Sequence, residues 1–106
     1  SGKYDLVISS MTLHHIKYTA PLLLKFNEII KPGGMLCIAD LDPDDGLFHA
    51  DTTGVDHYGF EREKLKAEFQ KAGFSDVKDV TAAEVTKPVP GGERNFSLFL
   101  ISGRKE

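Results

Sequence analysis

The chain has 106 residues, of which 41% are hydrophobic and 27% are charged, and its formal net charge is −3. This composition predicts one domain over residues 1–106 with a packed core, and its mild acidity argues against nucleic acid or an anionic membrane as the main partner. No apolar run approaches the roughly 20 residues of a membrane-spanning helix, and the single Cys37 excludes an internal disulfide. We expect a cytoplasmic protein, with residues 1–2 as a tag remnant.

The first part of the chain predicts a strand followed by a helix. Residues 6–8 are an uninterrupted apolar run, which is typical of a strand that is buried on both faces. Thr19 is the predicted N-cap of the helix, and residues 32–34, Pro-Gly-Gly, end it. Its apolar stripe follows helical spacing and consists of Leu22, Phe26, Ile29 and Ile30.

The remaining pattern predicts three strands and one helix. Residues 35–39 form a second apolar strand that ends at Asp40, and the long polar segment 42–59 has no clear period. A helix is predicted over residues 61–72, with Gly73 just beyond its end. Strands over residues 77–85 and 96–101 flank a Gly/Pro-rich turn, which indicates an antiparallel hairpin. Strands that alternate with helices predict an α/β fold with a parallel sheet and right-handed crossovers.

Three segments resemble class I S-adenosylmethionine-dependent methyltransferases in family order and spacing. They read YDLVISSMTLHHI, IIKPGGMLCIADL and FEREKLKAEFQKAGFSDV. The resemblance covers nearly the whole chain, but the glycine-rich turn and the ribose-binding acidic residue of the family's first half have no counterpart here. It implies the carboxyl-terminal half of the fold: a partial Rossmann-like sheet of two parallel strands plus an antiparallel hairpin, with helices mainly on one face.

The implied function is methyl transfer to a small molecule by the intact parent, with S-adenosylmethionine as cofactor. This chain alone is expected to bind no cofactor and to be inactive. An alternative is a non-catalytic structural or association module, and a third hypothesis is that another chain supplies the missing amino-terminal half. The acceptor molecule is left open, because acceptor pockets in the family are built from variable loops.

The resemblance also implies where site residues lie. In such sheets ligands bind outside the carboxyl ends of the parallel strands, so Ser9, Ser10 and Met11 are the expected cofactor rim. His14 matches a position where related O-methyltransferases carry a catalytic histidine, and histidine suits a general base near neutral pH. The alternatives are a plain strand-to-loop turn for the serines, and capping or packing of the next helix for His14.

The other candidates concern the acceptor and a metal. His15, Asp40 and Tyr58 are the candidate substrate-binding residues. For His49, His57 and Tyr58, in the polar segment 42–59, one hypothesis is that they face a substrate over the pocket, and the alternative is that they are exposed loop residues. The aspartates from Asp40 onward resemble a calcium-binding loop, but the glycine required at its sixth position is replaced by aspartate. We therefore predict no metal site.

The strand order implied by the family is first, second, fourth, third. Both right-handed crossovers would then place their helices on the same face of the sheet. The opposite face would stay apolar and uncovered, and the first strand would present an unpaired edge. We therefore expect either self-association or packing of residues 42–59 over that face.

Overall fold

A computed structural model describes residues 2–43, 57 and 59–106. Within these ranges the chain forms an α/β fold with one four-stranded sheet. In chain order the elements are β1 (Tyr4–Ser10), the histidine turn (Leu13–His15, a single turn of 3-10 helix), α1 (Thr19–Ile29), β2 (Ile30–Leu41), α2 (Arg62–Lys71), β3 (Phe74–Val89) and β4 (Gly92–Lys105). No helix among the described residues is both long and apolar enough to cross a membrane.

The sheet has the predicted strand order, β1-β2-β4-β3. β1 and β2 are parallel, and β4 is antiparallel to both of its neighbours, β2 and β3. The predicted partial Rossmann-like sheet, with two parallel strands and a closing hairpin, is therefore confirmed. The hairpin strands are longer than the apolar pattern indicated, because polar residues continue the pairing until only Pro90 and Gly91 form the turn.

Both helices pack on one face of the sheet, which we call the covered face. Its core joins side chains from both helices to alternate residues of β2 and β4, and it includes Leu23, Leu65, Phe69, Leu36, Ile38, Phe99 and Ile101. Leu65 and Phe69 are one helical turn apart, so they present one stripe to the sheet. In α1 the predicted stripe missed Leu23, which is fully buried, whereas Leu22, Phe26 and Ile29 are only partly buried against the core.

The opposite face of the sheet, which we call the open face, carries apolar side chains that neither α1 nor α2 of the described residues covers. Leu6 and Ile8 of β1 are 50% and 66% exposed, and Val80 of β3 is 54% exposed. The prediction that residues 6–8 are buried on both faces is therefore wrong for this chain, since both described helices lie on the covered face. Most of segment 42–59, which we considered as a cover for this face, lies outside the described residues.

Two local details position the helices. Thr19 is the first residue of α1 and not its N-cap, which is Tyr18. The Thr19 hydroxyl instead donates a hydrogen bond to Glu68 Oε1 at 2.6 Å, so it links α1 to α2. After α2, Gly73 has a φ of +102°, the left-handed conformation that ends a helix at low cost with glycine, as predicted.

Candidate active site

The carboxyl ends of β1 and β2 lie side by side because the two strands are parallel. Ser9 pairs with Ile38, and Ser10 pairs with Ala39. The chain then leaves β1 through Met11, whose φ of 55° is uncommon for a non-glycine residue. The Met11 N–H donates to the Ala39 carbonyl oxygen at 2.9 Å. This bond fixes the exit from β1, and it directs the chain into the histidine turn above the end of β2.

The histidine turn places His14 against Asp40, the last but one residue of β2. His14 Nδ1 lies 2.8 Å from Asp40 Oδ1, and the His14 main-chain N–H donates to Asp40 Oδ2 at 3.2 Å. The Leu41 N–H donates to Oδ1 at 2.8 Å. The two side chains are 2% and 0% exposed. A pair of residues 26 positions apart is thus joined by two hydrogen bonds away from bulk water.

This pairing specifies the hydrogen position on the ring. An ionised carboxylate can only accept hydrogen bonds, so Nδ1 of the neutral His14 ring carries the hydrogen and Nε2 is the basic nitrogen. A carboxylate at Nδ1 orients an imidazole and stabilises the imidazolium that forms when Nε2 takes a proton. The geometry can therefore perform general-base chemistry. Asp40 has no exposed surface, and its described hydrogen bonds go to His14 and to the Leu41 N–H. Its predicted role in substrate binding stays a prediction.

The other two described histidines also lie at this edge of the sheet. The exposed His15 ring lies 4.3 Å, centroid to centroid, from the ring of His14. The His57 N–H donates to the His14 carbonyl oxygen at 3.1 Å, and His57 Nε2 lies 2.9 Å from the Ile16 carbonyl oxygen. His57 is half-buried and bonded, so it is not an exposed loop residue. Tyr58 and His49 lie outside the described residues.

The predicted cofactor rim lies at the same edge but does not touch Asp40 through any described hydrogen bond. Ser10 is exposed, whereas Ser9 and Met11 are half-buried. The Ser10 carbonyl oxygen accepts a hydrogen bond from Thr12 Oγ1 at 3.1 Å. Among the residues that the structure describes, no group of three or more His, Cys, Asp or Glu side chains is arranged to hold a metal ion. The cofactor role of the rim stays a prediction.

A salt-bridge network beside this site escaped the sequence analysis. Arg62, at the start of α2, donates from Nε and Nη2 to the two oxygens of Asp42, at 2.8 and 2.7 Å. Its Nη1 reaches Asp79 Oδ2 on β3 at 3.3 Å. The Arg62 hydrogen bond lowers the pKa of Asp42 below its usual value. The network thereby joins Asp42, two residues beyond Asp40, to α2. No sign of it was visible in the sequence, because no periodic pattern marks a pair such as Asp42 and Arg62, which lie 20 positions apart.

Comparison with known proteins agrees with this architecture. The profile of the family described as "Methyltransferase domain" matches residues 1–79. A curated relative, an uncharacterised methyltransferase of Schizosaccharomyces pombe, is 30% identical over an alignment of 92 residues, and the match covers 79% of this chain and 32% of the relative.

Two solved structures share the fold. Phosphoethanolamine N-methyltransferase 2 of Haemonchus contortus, in complex with S-adenosyl-L-methionine, is 16% identical with a TM-score of 0.70, over 96% of this chain and 33% of that one. An S-adenosylmethionine-dependent methyltransferase of Thermotoga maritima is 21% identical with a TM-score of 0.72, over 99% of this chain and 57% of that one. This chain therefore spans about a third of the first structure and of the yeast relative. The profile match over most of its length, together with the fold, establishes that the chain belongs to the methyltransferase domain family.

Proposed function

We propose that this chain is the acceptor-side segment of an S-adenosylmethionine-dependent methyltransferase that acts on a small molecule. In this proposal His14 is the general base and Asp40 is the residue that positions it. The observation that carries the proposal is the buried contact of 2.8 Å between His14 Nδ1 and Asp40 Oδ1 at the carboxyl ends of two parallel strands. Ligands in open α/β sheets bind outside these strand ends.

In this proposal the chain supplies only one side of the cofactor site. The exposed Ser10 and the half-buried Ser9 and Met11 offer a rim at the end of β1, beside the pair of His14 and Asp40. The sequence contains no G-x-G-x-x-G turn, which in dinucleotide-binding sheets gives the backbone close access to a ligand. We therefore propose that Ser9, Ser10 and Met11 line the cofactor in the intact enzyme. The isolated chain would bind it weakly and would not turn over.

The chemistry assigned to this chain is proton removal from the acceptor. When bound, S-adenosylmethionine supplies an electrophilic methyl group. His14 Nε2 accepts the proton of the attacking acceptor group, while Asp40 Oδ1 holds the hydrogen on Nδ1 and stabilises the charged ring. Only 2% of the His14 side chain is exposed, and a side chain this buried favours a small acceptor over a macromolecular surface.

The test is mutation of the pair in the intact methyltransferase that contains this segment. His14→Ala is expected to lower kcat by about 10²- to 10⁴-fold, which is the usual contribution of a general base, with cofactor affinity unchanged. Asp40→Asn should also lower kcat, because the amide can stabilise the wrong ring tautomer. Gln70→Ala, at an exposed position of α2, serves as the control. An unchanged kcat of His14→Ala with a confirmed acceptor would remove His14 from the mechanism.

A second candidate function is a non-catalytic association module, and the open face favours it. Leu6, Ile8 and Val80 expose half or more of their surfaces on one side of the sheet. Large exposed apolar patches mark interaction surfaces on soluble proteins. The His14→Ala experiment separates the two candidate functions, because a non-catalytic module has no enzymatic activity that the substitution could lower.

A further inference from the structure

One residue, His57, binds the histidine turn on the side that Asp40 does not bind. Its main-chain N–H donates to the His14 carbonyl oxygen at 3.1 Å, and its ring Nε2 lies 2.9 Å from the Ile16 carbonyl oxygen. Carbonyl groups at the end of a short helical turn lack a partner inside the turn. His57 therefore satisfies two such groups at once, one through its backbone and one through its ring.

His57 is itself fastened to the end of β2. Its ring packs on Phe60, with a centroid separation of 4.7 Å, and Phe60 is a core residue. The Phe60 N–H donates to the Leu41 carbonyl oxygen at 2.8 Å, directly after Asp40. These contacts form a closed circuit. His14 contacts Asp40, the backbone leads from Asp40 to Leu41, Leu41 bonds Phe60, and Phe60 packs on His57, which bonds His14 again.

We propose that His57 is a positioning residue for His14, a role that rests on the proposed function of His14 as a base. Asp40 holds the ring and the main-chain N–H of His14, and His57 holds its carbonyl oxygen and the chain two residues later. A carbonyl oxygen can only accept, so His57 carries its ring hydrogen on Nε2, whereas His14 carries its ring hydrogen on Nδ1. The two histidines therefore hold opposite tautomers when neutral.

The first experiment measures these tautomers in the chain itself by long-range ¹H–¹⁵N NMR of the histidine rings. The expected spectrum shows His57 with hydrogen on Nε2 and His14 with hydrogen on Nδ1. A neutral His57 with hydrogen on Nδ1 could not donate to the Ile16 carbonyl, and it would overturn the proposal. This measurement needs no variant, so it decides the question even where a substitution prevents folding.

The second experiment compares His57→Phe with His57→Gln. Phenylalanine keeps a ring beside Phe60, but this ring cannot donate a hydrogen bond to the Ile16 carbonyl oxygen. The glutamine amide nitrogen can reach the position of Nε2 and donate there. We expect solvent exchange of the His14 Nδ1 hydrogen to rise about 2- to 10-fold in His57→Phe, as for the loss of one hydrogen bond. It should return close to the wild-type rate in His57→Gln. The Ile38 amide, in the centre of the sheet, should be unchanged and so distinguishes local from global opening.

The same two variants in the intact methyltransferase separate this proposal from the proposed function. His57→Phe should lower kcat by about the same 2- to 10-fold without changing cofactor affinity, and His57→Gln should restore it. Unchanged exchange of the His14 hydrogen in His57→Phe overturns the positioning role, whatever His14→Ala does to turnover. If His14→Ala leaves turnover intact while the exchange rate of the His14 Nδ1 hydrogen rises in His57→Phe as expected, the proposed function fails. The role of His57 in holding the histidine turn is then still supported.

Discussion

The two faces of the sheet carry similar apolar residues but have different surroundings. Ile38 on the covered face is fully buried beneath the helices, whereas Ile8, on the open face of the adjacent parallel strand, is 66% exposed. On the open face, Ile8 pairs in register with Cys37, which is only partly buried. Partial burial raises the pKa of the Cys37 thiol. The apolar pattern of a strand therefore predicts that it can be buried on both faces, but only the covering elements decide whether it is.

The largest expected effect contrasts one isoleucine from each face. Ile38→Ala should lower the free energy of unfolding by about 2–5 kcal/mol, because it leaves a cavity in the core. Ile8→Ala should change it by no more than about 0.5 kcal/mol, as is usual for exposed positions. Urea unfolding followed by circular dichroism, at one low protein concentration, measures both. Equal losses for the two variants would mean that the open face is covered in solution.

A smaller effect is expected from Arg62, at the border of the covered face. Arg62→Ala removes the two hydrogen bonds to Asp42 and those to Asp79 and Thr81, and it should cost about 1–3 kcal/mol near pH 7. Lys64→Ala is the control, since it removes only an exposed pair with Glu61 and should have little effect. Urea unfolding of both variants gives the comparison, and a loss as small as that of Lys64→Ala would show that the network adds nothing to stability.

The loss of stability in Arg62→Ala is expected to depend on pH. The pKa of Asp42 is lowered in the folded chain, chiefly by its hydrogen bond to Arg62, so the folded state binds the Asp42 proton less readily than the unfolded state. The stabilisation is therefore complete above the unfolded pKa of about 4 and is lost as pH falls through the folded pKa. The stability difference between wild type and Arg62→Ala should shrink below about pH 4. A difference that grows on acidification would reverse the assigned sign.

The smallest expected effect concerns association through the open face. Ile8→Ser should weaken self-association of the chain by about tenfold, which corresponds to partial burial of one isoleucine in an interface. Tyr18→Ser is a matched control, because Tyr18 is 70% exposed but lies before α1 and not on the sheet. Sedimentation equilibrium over a wide concentration range measures both constants. A strictly monomeric wild-type chain would contradict the expectation that the open face self-associates.

Much of the fold was predictable because its signals are local. Helical spacing identified α2, the left-handed glycine at Gly73 marked its end, and the alternation of strands with helices indicated the parallel pair. Chain-wide order came from the family resemblance, which supplied the arrangement β1-β2-β4-β3. The exposure of Ile8 could not be predicted from residues 6–8, because an apolar run does not show whether helices pack on one face of the sheet or on both.

The candidate site was predictable only in part, since its contacts are long-range. Sequence reasoning named His14 and Asp40 separately, one as a base and the other as a substrate ligand. Their direct contact depends on the left-handed Met11, which turns the chain after β1 and gives no sequence signal because methionine rarely adopts that conformation. For His57 the sequence leaves both a substrate contact and an exposed loop position open, because its hydrogen bonds to the His14 and Ile16 carbonyl oxygens join positions 41 or more apart.

The central claim is that this chain supplies the acceptor side of a methyltransferase and only a rim of its cofactor site. Calorimetric titration with S-adenosylmethionine tests this claim most directly. The isolated chain is expected to give weak binding or no measurable heat, because the proposed rim of Ser9, Ser10 and Met11 would provide few oriented contacts. The intact methyltransferase that contains the chain should bind with micromolar or better affinity. A low-micromolar dissociation constant for the isolated chain would contradict the account.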